Sequence, residues 1–202
     1  MMKRFFIPAI VLIFSVFAAA AFGQTGYAPA GGPSSTAGRD KMDPVKTGET
    51  APDFSLKAQD GSTVTLSKLE SPVVLVFYRG YWCPFCGRQL SEMRSLLKPG
   101  DKVKLFAISV DPPERSIELI NKIEKDGKGK VEYTFLSDPG HTIIDAYGLF
   151  DPAYIGKGVE GIPHPAVYVL DKNRKIVWSK VEPDYRKRPT LDEIRAGFES
   201  VN

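Results

Sequence analysis

The sequence contains few residues of the types that bind metals or carry thiol chemistry: it has two cysteines and two histidines among 202 residues. The cysteines, Cys83 and Cys86, are separated by two residues. A structural zinc site needs four ligands, and neither His141 nor His164 lies at a zinc-finger spacing from the cysteines. We therefore expect no metal site and no bound cofactor. A purely structural disulfide across so short a loop would add little stability.

The sequence also lacks a strong excess of charge of one sign. Its 27 lysines and arginines are opposed by 24 acidic residues, which gives a formal net charge of +3. Nucleic acids and anionic membrane surfaces attract strongly basic proteins. The composition therefore predicts neither as a partner. We interpret the one compact basic run, Arg186-Lys187-Arg188, as a solvated surface turn.

Long hydrophobic runs are absent except at the amino terminus. Residues 5–22 are apolar, follow a short basic start and end in small residues before Gln24, which is typical of a secretory signal peptide over residues 1–23. Its removal takes away Lys3 and Arg4 and lowers the formal net charge from +3 to +1. The alternative is an uncleaved membrane anchor at residues 5–22. The sequence thus predicts a secreted or periplasmic protein, with membrane contact only if this segment is retained.

Residues 24–45 contain much glycine, proline, serine, threonine and alanine and almost no aliphatic side chains. Such a segment cannot bury enough apolar surface to offset the entropy lost on ordering. We interpret it as a flexible linker. The remaining residues, 46–202, have the length and composition of one domain.

Within this domain, patterns typical of strands alternate with patterns typical of helices. Continuous β-branched and aromatic runs predict buried strands at residues 73–78, 103–110 and 133–137. Each is followed by a helical pattern, the first at residues 84–97, and the chain closes with a hairpin and a last helix at residues 191–199. This order predicts an α/β protein with a central sheet flanked by helices.

The start of the second helix carries a capping pattern. Asp111 is predicted to be the N-cap, and Glu114 to complete a capping box. Ile117, Ile120 and Ile123 are predicted to form the buried face of this helix. Asp138 is predicted to cap the third helix in the same way.

Cys83 and Cys86 lie where the strand at 73–78 gives way to the first helix, whose first residue is Pro84. Free N–H groups and the dipole at a helix start stabilise an anion, and the thiolate is the reactive form of cysteine. Cys86, one turn further on, can resolve a disulfide formed at Cys83. A C-x-x-C pair at a strand-to-helix junction predicts a thioredoxin-like redox site.

A glycine-rich motif at residues 156–161 does not indicate a nucleotide-binding site. Residues 156–161 match G-x-G-x-x-G, but they neither follow a predicted strand nor begin a helix, so the nucleotide-binding mechanism of that motif does not apply. We interpret the segment as a loop.

Three segments resemble the AhpC/TSA family, the peroxiredoxin-like branch of the thioredoxin superfamily. "GETAPDFSLKAQDGSTVTLSKL" is similar to the family's opening hairpin, "LFAISVDPPERS" to its middle strand and next helix start, and "FLSDPGHTIIDAYGL" to its later strand and helix. The resemblance covers about residues 46–180 and implies a thioredoxin-like fold, a mixed β-sheet flanked by helices, with an N-terminal β-hairpin extension.

The active-site motif of the family is matched only in part. The resemblance places its Pro-x-x-x-Thr-x-x-Cys pattern on Arg79, Cys83 and Cys86, so that Cys86 corresponds to the peroxide-reactive cysteine. The family's later arginine corresponds to Pro165, and Arg79 is the guanidinium available instead. Thioredoxins, by the same comparison, carry C-x-x-C here and a cis-proline at Pro165, beside which the substrate polypeptide pairs.

The first functional hypothesis is a secreted thiol–disulfide oxidoreductase with an antioxidant role. In it Cys83 attacks, Cys86 resolves, and Trp82 and Pro165 shape the substrate surface. His164, next to this proline, is a candidate acid–base residue.

Two further hypotheses remain open. The chain is either a thiol peroxidase, in which Cys86 reduces hydrogen peroxide or an alkyl hydroperoxide and Cys83 condenses with the sulfenic acid, or a non-catalytic tethered binding module whose cysteines stay locked as a disulfide. Arg79 is expected at the substrate in the peroxidase. The expected partners are a thiol or disulfide protein, or a peroxide, together with a thiol electron donor.

Overall fold

The computed structural model describes residues 42–199, which form one seven-stranded sheet with helices packed on it. The strands are β1 Ser55–Ala58, β2 Thr63–Thr65, β3 Val73–Phe77, β4 Lys104–Ser109, β5 Thr134–Ser137, β6 Ala166–Leu170 and β7 Ile176–Val181. The helices are α1 Pro84–Glu92, α2 Pro113–Glu124, α3 Thr142–Ala146 and α4 Leu191–Glu199. Short 3-10 helices lie at Leu66–Lys68, Met93–Ser95 and Pro152–Tyr154.

The sheet is mixed, with the strand order β2-β1-β5-β4-β3-β6-β7. Strands β3, β4 and β5 are parallel, and β6 and β7 extend the sheet as an antiparallel hairpin. At the other edge, β1 and β2 form a hairpin that pairs antiparallel with β5. The predicted α/β fold with a mixed sheet and an N-terminal hairpin is confirmed.

Strand β3 is buried at every residue and separates the two halves of the core. Val74 and Val76 point into a cluster built with α1, α2 and α4, whereas Val73, Leu75 and Phe77 point into a cluster built with α3 and the segment before β1. Because side chains alternate along a strand, a continuous apolar run serves both faces. The buried end of β3 leads directly into the loop that carries Cys83 to the start of α1.

Helix α1 is shorter than predicted, since the chain tightens into a 3-10 turn at Met93–Ser95. Leu90 and Met93 are buried against the sheet. The hydroxyl of Tyr133 donates to the carbonyl of Leu90 at 2.5 Å and ties the helix to the start of β5.

The predicted capping box of α2 is wrong. Pro112, in extended conformation, is the N-cap residue, and no side chain caps the helix. Asp111 lies one residue earlier, and its carboxylate accepts the N–H of Tyr81 at 2.7 Å. Asp111 therefore holds a loop beside the cysteines and caps no helix, because a long-range donor competes successfully for its oxygen.

The buried face of α2 is also different from the predicted one. Ile117 is 43% exposed, whereas Ser116, Leu119 and Ile123 are buried. Ile120 is partly buried against the same cluster. Ser116, Leu119 and Ile123 occupy positions i, i+3 and i+7 of the helix and face the sheet. Ile117 lies outside this face and is therefore exposed.

Asp138 binds the start of α3 through its side chain, as predicted, but the N-cap residue is His141. One oxygen of its buried carboxylate accepts the N–H groups of Ile143 and Ile144, both at 2.9 Å. The intervening residue His141 has a left-handed backbone, with φ of 45°, which lets Asp138 reach the first turn of α3 across a tight bend.

The predicted signal peptide, residues 1–23, lies outside the described residues, as does the linker as far as residue 41. The last linker residues contact the domain. The N–H of Val45 donates to the carbonyl of Tyr147 at 3.3 Å, and Gly148 lies directly against the carbonyl of Asp43. Contacts of the domain thus begin before the predicted boundary at Lys46. Within residues 42–199, no helix has the length and apolar character needed to cross a membrane.

The contact at Gly148 can be tested with a matched pair of glycine variants. Gly148 and Gly156 have similar left-handed φ values of 66° and 72°, but a side chain would meet the Asp43 carbonyl at Gly148 and open space at Gly156. Both alanine variants should lose about 1 kcal/mol for the left-handed backbone. Gly148→Ala should lose at least about 1 kcal/mol more in urea unfolding, owing to the collision. Equal losses would show that residue 43 does not pack there.

Candidate active site

The loop between β3 and α1 is held in place at both ends. The N–H of Tyr78 donates to the carbonyl of Ile108 on β4, and the N–H of Tyr81 donates to Asp111 at the end of the same strand. Between them, Gly80 has φ of 152°, and a side chain there would collide with the indole of Trp82. The loop conformation therefore requires glycine and fixes the residues that precede the cysteines.

Cys83 is the N-cap residue of α1, and Cys86 lies in the first turn. Both are free thiols, and both are buried, with 1% and 0% of their surfaces exposed. The two thiols are electrostatically coupled: the thiol and the backbone N–H of Cys86 both stabilise the thiolate of Cys83 and lower its pKa.

These donors separate the acidities of the two thiols. The hydrogen bond from the Cys86 thiol, then its backbone N–H and the charges of Arg79 and Arg188, outweigh burial and lower the pKa of Cys83 to about 6. The pKa of Cys86 is raised, first by the hydrogen bond it gives to Cys83 and then by its own burial. These influences favour Cys83 over Cys86 as the sulfur that carries the negative charge of the pair.

Arg79 is buried beside Cys83 in a ring of aromatic side chains. Its Nη1 lies 3.9 Å from the Cys83 sulfur, and its Nη2 donates to the Tyr154 hydroxyl. The guanidinium carbon is 5.0, 4.9 and 4.2 Å from the ring centroids of Trp82, Tyr154 and Tyr185. Its Nε has no partner, and among residues 42–199 no carboxylate pairs with it. Since a buried charge is costly when unpaired, the Cys83 thiolate is the anion that compensates Arg79.

An open groove of about 540 Å³ runs alongside this arginine. It is lined by Arg79, Trp82, Pro84, Phe85, Tyr154, Lys157, Val159 and Tyr185. The glycine-rich segment at 156–161 is a loop, as predicted, and supplies two of these residues. A larger groove of about 680 Å³ lies on β1, β2, β4 and β5 and is lined by none of the residues next to the cysteines. Trp82 and Pro84, which flank Cys83, line the first groove, so we place the site there.

The interpretation of the basic run as a solvated turn is wrong for Arg188. Its Nη2 lies 3.2 Å from the Cys86 sulfur, and its Nε donates to the side chain of Gln89 at 2.8 Å. Arg186 and Lys187 are exposed as predicted, and Arg186 pairs with Asp184. Sequence reasoning missed Arg188 because it lies 102 residues from Cys86 along the chain. Tyr154 and Tyr185, which carry no motif, were missed for the same reason.

Pro165 and His164 are near the site but differ from the expectation. No cis peptide bond occurs among the described residues, so Pro165 follows a trans bond, and it is buried. Its carbonyl accepts the N–H of Glu182 at 2.9 Å, so that the backbone at this point is already used inside the sheet. The imidazole of His164 lies 3.9 Å from Asp151. Burial lowers the pKa of His164, and the charge of Arg79 lowers it further.

Two buried thiols at the start of a helix that follows the central strand of a mixed sheet define a thiol redox protein. The sequence matches the AhpC/TSA family over residues 47–179, and the chain belongs to this family. It is 35% identical to peroxiredoxin Bcp of Escherichia coli (strain K12) over 141 residues, which are 67% of this chain and 85% of that protein.

Solved structures share the fold. Peroxidoxin BcpB of Mycobacterium tuberculosis superimposes with a TM-score of 0.60 at 22% identity, covering 78% of this chain and 98% of that chain. A peroxiredoxin-like protein of Aquifex aeolicus gives a TM-score of 0.68 at 18% identity, covering 79% and 90%. These similarities confirm the thioredoxin-like fold. The family match and the 35% identity to peroxiredoxin Bcp make the chain a thiol-dependent oxidoreductase, which argues against the non-catalytic hypothesis.

The opposite pKa shifts of Cys83 and Cys86 can be tested by titrating single-cysteine variants. Each Cys86 variant leaves Cys83 as the sole thiol, so the ultraviolet absorbance of the thiolate reports on Cys83 alone. With Cys86→Ser, which keeps a donor, the pKa should stay near the value of about 6. With Cys86→Ala it should rise by about one unit or more, because the largest stabilising hydrogen bond is lost.

Arg79→Gln in the Cys86→Ser background should give a smaller rise, since the guanidinium ranks below that hydrogen bond. A Cys83 thiol that titrates near an unperturbed cysteine in the Cys86→Ser protein would contradict this account of the site.

Proposed function

We propose that this chain is a thiol peroxidase that reduces hydrogen peroxide or an alkyl hydroperoxide with the Cys83/Cys86 pair. The observation that carries the proposal is the Cys83 sulfur, buried at the start of α1, 3.9 Å from a guanidinium that no carboxylate of the described residues neutralises. A thiolate needs such surroundings to attack an oxygen atom, and the relatives named above are peroxiredoxins.

The reaction balances with the two cysteines and one external reductant. The Cys83 thiolate attacks the outer oxygen of the peroxide, the O–O bond breaks, and the alkoxide or hydroxide takes up a proton as it leaves. This step gives a sulfenic acid at Cys83. The Cys86 thiol then attacks that sulfur, water leaves, and a disulfide forms. A thiol electron donor restores the two thiols.

The assignment of Cys83 as the attacking residue differs from the family motif, which corresponds to Cys86. Cys83 carries the lowered pKa and faces Arg79, whereas Cys86 is the donor in the hydrogen bond between them. Attack by Cys86 would require the proton of the pair to move to Cys83. Each sulfur has a guanidinium beside it, but only Cys83 is flanked by residues that line the groove, Trp82 and Pro84. This placement and the lowered pKa favour Cys83 as the sulfur that takes the oxygen.

Disulfide exchange is the second candidate, and one observation favours it. The first cysteine of a C-x-x-C pair has a lowered pKa and lies beside an exposed aromatic residue, Trp82. A substrate polypeptide would have to pair with the backbone beside Pro165. The carbonyl of Pro165 already accepts the N–H of Glu182, which favours a peroxide over a polypeptide as the substrate. The proposal of a secreted or periplasmic location depends entirely on the pattern in residues 1–23.

Stopped-flow fluorescence of the reduced protein with equimolar hydrogen peroxide tests the proposal. The chain has two tryptophans, and a Trp178→Phe variant leaves Trp82 as the reporter next to Cys83. We expect oxidation orders of magnitude faster than that of free cysteine, and Cys83→Ser should abolish it. A rate equal to that of free cysteine, with rapid reduction of a disulfide substrate, would establish disulfide exchange instead.

The two single-cysteine proteins identify the attacking sulfur. After peroxide treatment, a dimedone-type probe should label Cys83 in Cys86→Ser rapidly, and Cys86 in Cys83→Ser slowly. The reverse order would restore the family assignment and would reject the role that we give to Cys83.

A further inference from the structure

We propose that Arg188 is a catalytic residue of the re-reduction step, in which it stabilises the Cys86 thiolate as that sulfur leaves the disulfide. The inference rests on the proposed function in so far as turnover oxidises the pair to a disulfide. It assigns separate guanidinium groups to the two sulfurs, Arg79 to Cys83 and Arg188 to Cys86.

The contacts of Arg188 aim it at one sulfur. Its Nη2 lies 3.2 Å from Cys86, its Nε is fixed by the buried Gln89, and its Nη1 donates to the carbonyls of Tyr185 and Lys187 at 2.6 Å. Each nitrogen of the guanidinium thus has a partner, and three of the four partners only hold the group in position. A guanidinium fixed in this way donates to sulfur without reorganising.

The surroundings of the pair decide which sulfur a reductant attacks. Cys83 lies between two exposed residues, Trp82 and Pro84, that line the groove. Cys86 has no exposed surface, and Arg188 covers its sulfur. A donor thiolate arriving through the groove reaches Cys83 first.

The electron balance then follows. The donor thiolate forms a bond to the Cys83 sulfur, the Cys83–Cys86 bond breaks, and Cys86 departs with the electron pair as a thiolate. A second thiol of the donor attacks the donor sulfur of the mixed disulfide, releases Cys83 as a thiolate and leaves the donor oxidised. The first of these exchanges is faster when the leaving thiolate is more stable.

Arg188 is the group that supplies this stability. Cys86 is fully buried, which disfavours its charge, and the negative charge of Cys83 disfavours it further in the resting pair. In the mixed disulfide Cys83 carries no charge. The remaining influences on Cys86 are then its burial, which opposes the thiolate, and the positive charge of Arg188 and the backbone N–H of Arg79, which favour it. Without the guanidinium, the leaving sulfur would be a buried thiolate with no neighbouring positive charge among these influences.

The test measures the two half-reactions separately. Protein oxidised to the disulfide with diamide is reduced by dithiothreitol while Trp82 fluorescence is followed, and the rate is compared with that of reduced protein reacting with peroxide. Arg188→Gln should slow reduction about three- to thirtyfold. It should slow peroxide oxidation by a smaller factor, because Arg188 is the last-ranked of the influences that lower the pKa of Cys83. Arg188→Lys, which keeps the charge, should restore part of the reduction rate.

Two controls separate this role from general charge and from loop attachment. Arg186→Gln removes the same charge from an exposed position two residues away and should leave reduction unchanged. Gln89→Leu removes the tether of Arg188 without removing its charge and should slow reduction less than Arg188→Gln. In a Cys83→Ser background, Arg188→Gln should raise the pKa of the Cys86 thiol, a readout that a merely structural role would not move.

Unchanged reduction in Arg188→Gln, or equal slowing in Arg186→Gln, would overturn the inference. Because diamide forms the disulfide without peroxide, this result is independent of the proposed function. A protein that reacts slowly with peroxide but shows the Arg188 effect on reduction would refute the peroxidase and keep the role of Arg188.

Discussion

A negative charge on the Cys83 sulfur is the condition on which the rest of the site depends. The sulfur is almost completely buried, and burial alone would keep it protonated. The hydrogen bond from Cys86, the N–H groups of the helix start and the guanidinium of Arg79 together reverse that preference. Arg79 depends on the same charge in return, since its other neighbours among the described residues are neutral aromatic side chains and a hydroxyl. Thiolate and guanidinium therefore stabilise each other in a place where either alone would be costly.

The fold supplies this arrangement from elements far apart in the chain. Strand β3 directs the loop to the end of the sheet, and Asp111, at the end of the neighbouring β4, fixes the loop through the N–H of Tyr81. The aromatic ring around Arg79 comes from three segments, with Tyr154 before β6 and Tyr185 after β7. Ring contact between Tyr185 and Phe85, with centroids 5.8 Å apart, brings the segment after β7 to the first turn of α1. The same segment delivers Arg188 to Cys86.

The site combines features encoded locally in the sequence with contacts between distant segments, and only the local features can be predicted from the sequence. The strands, the helix start at Pro84 and the reactive pair are local patterns, and all of them are present in the structure. The sequence predicts a local cap at Asp111 because the competing partner of this residue, the N–H of Tyr81, is 30 residues away. It predicts a solvated Arg188 because a run of three basic residues contains no signal that separates its one inward-facing member from its two exposed neighbours. Side chains whose role depends on tertiary proximity are therefore the ones that pattern reasoning misplaces.

The resemblance to the family gains a physical meaning at Cys83, which occupies the position of the motif's threonine. A threonine hydroxyl there could donate a hydrogen bond to a thiolate at Cys86 but could not be oxidised to a disulfide. A cysteine at the same place still forms a hydrogen bond with Cys86, and the direction of that bond is reversed, because Cys83 is the acceptor. Under the proposed function, the exchange of this one side chain would move the charge by one helical turn toward the groove and would make an orienting partner into a second redox atom. A single arginine aimed at one sulfur could stabilise a thiolate at only one of the two cysteines. Here two guanidinium groups are present, and each contacts one of the sulfurs.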